Sequence, residues 1–463
     1  MTILALDLGT SAIKLVRTDH RLSIRSVDRI PAEGLHIDAW LNALRRNIAD
    51  RGDGADINAL AITGQMHGLM TLEDDGFGKG IPWTDQRGAS IARSLNDSLG
   101  TETVARLGGP LASGFLGVSL AWIKANDPGR WSRIQHVTLP KDALVYALTG
   151  RHVTDPTDAV GTGLFDVDSG TWSEALVNRI GIPPDWLPEI VPSGTDLGLI
   201  AAKMATQLGL GRNTRVILAG GDAPVGAFGA GLARDGEALL LLSSGAQVIL
   251  PSTRFSPDRE GRWYTWPAVD GGYLRVGTLL NAGNAISWMS EVLDDTDSWD
   301  GGPTSLIALP HLIGERTPIQ DADLRGVLLG LTHDTTSAQI NMAMREGVAY
   351  AIRHALEVMC EGASPPMSIR IGGGGANIPG WQQVITDVLG IPTHRIVSPE
   401  LTALGAAALA AGITPDPGLD RPCECDPDRT APYAARYAIY REALDATRTI
   451  SQRLVALDRI EHS

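Results

Sequence analysis

The residues near the amino end combine groups that bind a phosphate and a divalent cation. The stretch ILALDLGTSAIKLV at 3–16 has an apolar run ending in Asp7, a Gly-Thr-Ser turn, and a second apolar run that carries Lys14. A strand–turn–strand hairpin of this composition presents backbone N–H groups and the hydroxyls of Thr10 and Ser11 to an anion, with a carboxylate beside them for a cation. The alternative is an ordinary hairpin, and this motif alone leaves both interpretations open.

Four glycines at 372–375 form a second candidate site. They follow a strand pattern at 368–371 and precede a helix, so a flat or anionic ligand can approach the backbone closely near a helix N-terminus. The spacing fails the G-x-G-x-x-G fingerprint, and no G-K-S or G-K-T marks a P-loop. The alternative is a glycine-rich turn without a ligand.

Asp222 is the candidate general base. The stretch VILAGGDAP at 216–224 predicts a strand that ends in Gly-Gly-Asp. A carboxylate there can accept the proton of an attacking hydroxyl, which is the acid–base task of phosphoryl transfer to an alcohol. The alternative is a helix cap, because Ala223 and Pro224 can open a helix, and the two roles can coexist.

Two polar and aromatic segments suit a polyol ligand. They are QMHG at 65–68 and WTDQR at 83–87, and both lie between strand-like segments. A polyol needs bidentate polar partners and an apolar face. A lone histidine such as His67 is more often structural than functional, so both interpretations stay open here.

The elements around these residues predict an RNase H-like order. Strands are predicted at 3–7, 13–18 and 21–27, a helix at 36–50, and a strand at 57–62. The order then recurs, with further predicted strands, the long amphipathic helix and the glycine loop at 216–224, 237–250, 273–278, 337–362 and 368–377. We therefore predict an α/β protein of two domains, 1–233 and 234–463, around a central cleft.

Composition narrows the function classes. A net charge of −14 over 463 residues disfavours a nucleic-acid partner. No targeting segment is visible, and the longest apolar run, 238–242, is too short to span a membrane. Three cysteines indicate reduced thiols in a cytoplasm. Cys423 and Cys425 have no second pair to complete a metal site, so a solvated loop is expected.

Motifs along nearly the whole chain resemble those of the FGGY carbohydrate kinases, and within them the xylulokinase branch. The matching segments are DLGTSAIK 7–14, ITGQMHG 62–68, PWTDQR 82–87, LPKDALVYALTG 139–150, TDPTDAVGTGLFDV 154–167, GGDAPVGAFGAG 220–231, PHLIGERTP 310–318, RGVLLGLTHDTT 325–336, REGVAYAIRHALEVM 345–359, GGGGANIPGWQQVITDVLG 372–390 and ELTALGAAALA 400–410.

The resemblance implies two RNase H-like domains of the actin and hexokinase type, with a sugar site in the first and a nucleotide site in the second. It implies Asp222 as general base and Asp7 as the catalytic carboxylate that holds Mg²⁺. Its implied sites comprise Thr10, Ser11, Lys14, Ser244, Gly245, Gly373, Gly374 and Asn377 for ATP, and Met66, His67, Trp83, Asp85 and Asp222 for the ketose.

Several residues differ from those usual in the family, at the expected sugar site and in the second phosphate loop. Ala223 and Thr84 stand where xylulokinases usually have Asn, and each loses an amide that can bond a hydroxyl. Ser119 stands where the family usually has Lys. In the second loop, Ser244 takes the place of a threonine, whereas a one-residue shift would put Ala246 there.

The resulting prediction is a cytoplasmic, ATP- and Mg²⁺-dependent kinase that converts D-xylulose to D-xylulose 5-phosphate. Alternatives are another ketose or a polyol, or a non-catalytic sugar- or ATP-binding regulator of the same fold. The expected partners are a small-molecule sugar and MgATP, without nucleic acid or membrane, and a homodimer by analogy with the family.

Overall fold

The computed structural model describes residues 1–232, 236–293 and 302–461. The strands are β1 (Thr2–Leu8), β2 (Ala12–Asp19), β3 (Ile24–Pro31), β4 (Ile57–Gly64), β5 (Met70–Glu73), β6 (Gly76–Phe77), β7 (Ile134–Thr138), β8 (Val153–Thr154), β9 (Phe165–Asp166), β10 (Thr171–Trp172), β11 (Glu189–Ile190), β12 (Thr195–Leu199), β13 (Arg215–Gly221), β14 (Glu237–Leu242), β15 (Ala246–Ser252), β16 (Tyr264–Pro267), β17 (Tyr273–Leu279), β18 (Ile307–Leu309), β19 (Val327–Leu329), β20 (Ser368–Gly372) and β21 (Thr393–Arg395).

The helices are α1 (Ile37–Arg51), α2 (Ala89–Leu99), α3 (Thr101–Arg106), α4 (Leu116–Asn126), α5 (Pro128–Trp131), α6 (Pro140–Thr149), α7 (Pro156–Ala159), α8 (Glu174–Ile180), α9 (Ala202–Leu208), α10 (Asp222–Gly229), α11 (Gly283–Leu293), α12 (Ser337–Met359), α13 (Trp381–Leu389), α14 (Leu401–Ala411) and α15 (Pro427–Glu461).

The chain forms two compact units. The first comprises Met1–Leu232, Ser252–Leu274 and Glu400–Pro417, and the second comprises the described residues of Ala233–Pro251, Arg275–Pro399 and Gly418–Ser463. The predicted boundary between residues 233 and 234 lies outside the described residues.

The first unit contains a mixed sheet with the strand order β12-β13-β4-β1-β2-β3. β13, β4 and β1 are parallel, whereas β1–β2 and β2–β3 are antiparallel. The three parallel strands therefore end together at one edge, where loops can carry functional side chains.

Alternating residues give this sheet two different buried faces. Leu4, Leu6 and Leu8 of β1 face a core that includes α1, α6 and α9. Ile3 and Ala5 face the other core, which includes small residues of α14. The alanines of this second face, which are Ala5, Ala59, Ala61 and Ala219, let α14 approach the sheet closely.

The second unit repeats this strand order. Its sheet contains the consecutive strands β17-β15-β14-β20-β21, with β14–β15 antiparallel and β14, β20 and β21 parallel. In the first unit the corresponding order is β3-β2-β1-β4-β13. The duplication expected from element order is therefore present in the two sheets.

Most predicted elements are confirmed, but the third strand is displaced. It was expected at 21–27 and occupies Ile24–Pro31. The Asp19 carboxylate accepts hydrogen bonds from the backbone N–H groups of Arg21 and Ser23, and Leu22 has a φ of 64°. Residues that looked like strand therefore belong to the turn.

The long amphipathic helix is confirmed as α12, which ends at Met359 rather than 362. Of the six residues expected along its buried side, Ala343, Val348, Ile352, Ala355 and Met359 are buried and Ile340 is partly exposed. Among the described residues, no helix is long and apolar enough to cross a membrane.

Candidate active site

Three parallel strands bring the two candidate carboxylates to one edge of the first sheet. In the strand register, Asp7 of β1 lies beside Thr63 of β4, and Thr63 lies beside Gly220 of β13. Asp222 directly follows Gly221, the last residue of β13. The carboxyl edge of parallel strands is where open α/β sheets bind ligands.

Asp222 is the first residue of α10, and the helix-cap alternative is wrong because Gly221 holds the N-cap position. Its Oδ1 accepts a hydrogen bond from the N–H of Ala223 at 2.8 Å. Burial, followed by the negative charge of Asp7, raises the pKa of Asp222 to about 7. A carboxyl that titrates near neutrality can both accept and release a proton at physiological pH.

Asp7 lies in a charged cluster with Lys14. Lys14 Nζ lies 3.6 Å from Oδ2 of Asp7 and 3.5 Å from Oε2 of Glu400, while Arg29 also contacts the Glu400 carboxylate. Burial raises the pKa of Asp7, although Lys14 opposes the shift. Glu400 is only 2% exposed, so Lys14 and Arg29 are both paired with a buried carboxylate.

The turn after β1 exposes Thr10 and Ser11. Gly9 shapes this turn, because a Cβ there would lie 2.8 Å from the carbonyl oxygen of Ala12. Trp83 Nε1 donates to Thr10 Oγ1 at 2.9 Å. A residue expected on the sugar side therefore contacts one expected on the phosphate side.

Met66 and His67 lie close to the end of β13. Met66 is 3% exposed, and a Cβ on Gly221 would lie 2.8 Å from its Cγ. His67 has a φ of 74°, and Gly68 N–H donates to the Met66 carbonyl at 2.9 Å to close a tight turn. Strained backbone of this kind concentrates at functional sites.

The ring of His67 is held on two sides. It stacks on Phe115 with 4.4 Å between ring centroids and an interplanar angle of 4°. His67 Nδ1 lies 2.9 Å from the carbonyl oxygen of Gly161. Because a carbonyl only accepts, Nδ1 carries the proton in this contact. The structural interpretation of His67 thus has support, and the two roles are compatible.

Asp85 is hydrogen-bonded within its own loop. Its Oδ1 accepts from Arg87 N at 2.9 Å and from Arg87 Nε at 2.8 Å. Burial acts to raise the pKa of Asp85, but the contacts with Arg87 lower it on balance. The neighbouring Thr84 is exposed, and the departure Ser119 is buried in α4.

The second unit brings its two candidate loops together. Ser244 and Gly245 connect β14 to β15, and a Cβ on Gly245 would lie 2.3 Å from the carbonyl oxygen of Leu279. The carbonyl of Ser244 accepts hydrogen bonds from the N–H groups of Ala282 and Asn284 at 3.1 and 3.0 Å. The Ser244 residue is exposed.

The glycine loop follows β20, the parallel neighbour of β14. Gly373 has a φ of 85°, and a Cβ there would lie 2.3 Å from the carbonyl oxygen of Leu242. Gly374 faces open space. Asn377 Oδ1 accepts a hydrogen bond from Arg395 at 3.2 Å. Both loops therefore lie at the same carboxyl edge, as the two carboxylates do in the first unit.

Sequence reasoning gave no role to Glu400 or to the buried group Lys141, Asp142, Asp155 and Asp158. The motifs 139–150, 154–167 and 400–410 contained them. The available signal was the presence of charged residues inside apolar segments. Their partners are distant in sequence, so no spacing rule connects them.

The cysteines are ordinary thiols. Cys423 Sγ donates to Gln383 Oε1 at 3.0 Å and Cys425 Sγ to the Thr386 carbonyl at 3.6 Å. The pair lies in an irregular segment, as predicted, where both side chains are partly buried and the intervening Glu424 is exposed. Within the described part of the chain, no group of three or more His, Cys, Asp or Glu side chains is placed to hold a metal ion.

Comparisons with known proteins cover most of the chain. The model of the N-terminal domain of the FGGY family of carbohydrate kinases matches residues 2–229, and the model of its C-terminal domain matches residues 244–412. The xylulose kinase of Streptomyces coelicolor is 32% identical over 381 residues, which cover 81% of this chain and 78% of that relative.

Solved structures share the fold. The ligand-bound xylulose kinase of Lactobacillus acidophilus has a TM-score of 0.91 at 23% identity and covers 98% of this chain and 99% of its own. The gluconate kinase of the same organism has a TM-score of 0.90 at 23% identity and covers 96% and 98%. The predicted α/β fold of two domains is confirmed. Because the fold is equally similar to kinases named for two different substrates, the fold alone does not identify the substrate, and the site residues must be considered.

Proposed function

Because the chain belongs to the FGGY family of carbohydrate kinases and is an ATP-dependent sugar kinase, we propose that its substrate is a ketopentose, D-xylulose, and its product D-xylulose 5-phosphate. The single observation that carries the proposed chemistry is the Asp222 carboxyl, with a pKa of about 7, at the strand edge shared with Asp7. Asp222, Asp7, Met66 and His67 all belong to the first unit.

In the proposed reaction, Asp222 accepts the proton of the sugar's primary hydroxyl. The hydroxyl oxygen forms a bond to the γ-phosphorus, the bond from that phosphorus to the β,γ-bridging oxygen breaks, and ADP leaves. The proton then resides on Asp222 until it is released to water. Lys14 supplies positive charge near the transferred group, and Thr10 and Ser11 supply hydroxyls and backbone N–H groups.

Asp7 fits a Mg²⁺ ion that arrives with ATP. Mg²⁺ is usually held by one or two carboxylates together with substrate phosphates and water, so a cluster of protein ligands is not required. Asp7 offers one buried carboxylate at the strand end, where Lys14 is its cationic neighbour. When bound, the ion neutralises charge on the phosphates.

For the nucleotide, we propose the residues of the second unit's carboxyl edge. Exposed Ser244 offers a hydroxyl, and Gly245, Gly373 and Gly374 let a phosphate or the adenosine approach the backbone. Asn377 is proposed at the adenosine, where its amide would keep or exchange the hydrogen bond with Arg395.

For the sugar, we propose contacts with Met66, His67, Trp83 and Asp85. Met66 gives an apolar surface beside Gly221, and the stacked ring of His67 is fixed in one orientation. Asp85 stays ionised because Arg87 lowers its pKa on balance, so it accepts hydrogen bonds from hydroxyls.

A second candidate substrate is another ketose or a polyol. Ala223 lies next to the base and Thr84 is exposed beside Trp83. An asparagine at either position would add an amide group, and a site that loses such groups discriminates differently among hydroxyl patterns. The homodimer and the cytoplasmic location stay predictions.

The test is ADP release from MgATP with a substrate panel. D-xylulose, L-xylulose, D-ribulose, L-ribulose, xylitol and D-arabitol are compared by kcat/KM, and the phosphorylated carbon of each product is assigned by NMR. We expect D-xylulose to rank first and its phosphate to lie on O5. A different leading ketose or polyol would replace the D-xylulose assignment and keep the kinase.

Controls separate the base from the specificity residues. Asp222→Asn should lower kcat by about 10²-fold or more with every sugar, because the proton acceptor is lost. Ala223→Asn and Thr84→Asn should change the ranking of sugars while keeping turnover. No turnover above the ATPase background with any sugar would favour a binding protein of this fold, and full activity in Asp222→Asn would exclude this base.

A further inference from the structure

Four charged side chains lie fully buried behind the strand end that precedes Asp222. Lys141 Nζ lies 2.5 Å from Oδ1 of Asp142, 2.9 Å from Oδ1 of Asp155 and 3.1 Å from Oδ2 of Asp158. All four side chains are 0% exposed. The lysine donates a hydrogen bond to Asp142 and forms ion pairs with Asp155 and Asp158.

Burying four charged side chains in a core is energetically unfavourable. Charges removed from water lose their hydration, and apolar side chains of similar volume often stabilise a fold equally well or better. Burial raises the pKa of Asp142 to about 6 and that of Asp158 well above its ordinary value, although Lys141 opposes both shifts. Stability alone therefore does not account for this group, and its contacts with neighbouring residues indicate another role.

One of these contacts leads directly to the backbone before Asp222. Asp155 Oδ2 accepts hydrogen bonds from Thr157 Oγ1 at 2.5 Å and from Ser193 Oγ at 2.6 Å. Because the Thr157 hydroxyl gives its only proton to Asp155, its oxygen is left to accept from another group. Gly221 N–H donates to that oxygen at 2.9 Å.

The preceding residue is held as well. Gly220 has a φ of 144°, and a Cβ there would lie 2.7 Å from Thr157 Oγ1. Thr63 Oγ1 donates to the carbonyl oxygen of Gly220 at 2.8 Å. Side chains therefore hold both residues through which β13 reaches Asp222, and neither glycine has a side chain of its own to do so.

We propose that Thr157, held by Asp155 and Lys141, is a positioning residue that fixes the Gly220–Gly221 strand end and thereby the orientation of the Asp222 carboxylate. The inference rests on the proposed role of Asp222 as general base. A base displaced by a fraction of an ångström stays in the site but loses alignment with the sugar hydroxyl, so the chemical step suffers and sugar binding does not.

The test compares Thr157→Val with Thr157→Ser in the full chain. Valine keeps the shape but leaves Gly221 N–H without its acceptor, whereas serine keeps the hydroxyl. We expect Thr157→Val to lower kcat by about 10- to 100-fold with the sugar KM within about 3-fold, and Thr157→Ser to restore most of kcat.

Thr214→Val is the matched control. Thr214 is also buried, at 1% exposure, and its Oγ1 donates to the Ile57 carbonyl at 2.8 Å, but it precedes the opposite end of β13. The Thr214→Val variant should lose as much stability as Thr157→Val, measured by the urea midpoint, but its kcat should be unchanged. Ser193→Ala, which removes a single bond to Asp155, gives a milder variant if Thr157→Val does not fold.

The outcomes separate the two proposals. Equal kcat in Thr157→Val and Thr214→Val, with Asp222→Asn inactive, would overturn the positioning role and keep the base. An equal loss in Thr157→Val and Thr157→Ser would also overturn it, because the hydroxyl would then be irrelevant. An active Asp222→Asn would remove the proposed base, whatever the threonine variants do.

Discussion

The proposed general base, Asp222, has a cost in stability. In the folded protein its pKa is about 7, against an ordinary value of 3.8, because of burial and the nearby charge of Asp7. Between these pH values the folded chain keeps a proton that the unfolded chain has lost. The free energy of unfolding therefore decreases as the pH rises from about 4 to about 7.

Asp222→Asn should accordingly stabilise the protein at alkaline pH. Asparagine has a similar shape and cannot ionise, so the gain should grow from pH 5 to pH 8. It should reach at most roughly 4 kcal/mol, since one pKa unit corresponds to about 1.4 kcal/mol. Urea unfolding of both proteins at several pH values measures this difference.

Asp85→Asn is the matched control of opposite sign. Arg87 lowers the pKa of Asp85 on balance, so its ionised form is favoured by folding. Its replacement should give no gain at pH 8. A stability gain in Asp222→Asn that shrinks with rising pH would contradict the raised pKa.

Sequence reasoning found the carboxylates of this site better than their neighbours. Asp7 and Asp222 each stand at the end of an apolar strand, a pattern visible in one segment. Glu400 contacts Lys14, and Thr157 contacts Gly221, between segments that are far apart in the sequence. The roles of the predicted site residues stay predictions until they are tested.

At the scale of elements, two helices of the first unit cross at glycines. A Cβ on Gly229 of α10 would lie 1.9 Å from the carbonyl oxygen of Leu401, and a Cβ on Gly405 of α14 would lie 2.2 Å from that of Val225. The backbones are in contact at this crossing, which fixes α10 and therefore the helix that begins with Asp222.

Gly405→Ala should destabilise the protein by roughly 1–3 kcal/mol. Overpacking a close crossing has that cost, and the better helix propensity of alanine offsets about 1 kcal/mol at most. The urea midpoint gives the change. Gly226→Ala in α10 is the control, because its Cβ would meet only the Thr402 hydroxyl at 3.2 Å and should be nearly neutral. Equal effects of the two variants would contradict the crossing argument.

The order of elements followed from hydrophobic periodicity, and the exact ends did not. The strands at 3–7 and 57–62 and the helix at 36–50 were confirmed within two residues. The third strand was displaced because Asp19 uses its side chain to close a longer turn. Such side-chain turns compete with strand propensity and leave little trace in an apolar pattern.

At the scale of the whole molecule, the first unit includes a helix from near the carboxyl end of the sequence. α14 belongs to that unit although it follows most of the second one in sequence. Ala403, Ala406 and Ala407 of α14 share a core with Ile3 and Ala5 of β1. The alanine-rich face of the sheet is covered only after this helix has been synthesised.

The segment 1–232 alone should therefore fail to unfold cooperatively. Without α14, the apolar face formed by β1, β4 and β13 meets water, and such a face favours association or a loosely packed state. We expect strong binding of an apolar dye and a broad urea transition, also when residues 252–274 are joined to the segment by a Gly/Ser-rich linker, whereas the further addition of residues 400–417 should restore a sharp transition. A sharp transition in the segment alone would mean that the face without α14 is packed well enough to fold, and that the helix is an addition to a complete core.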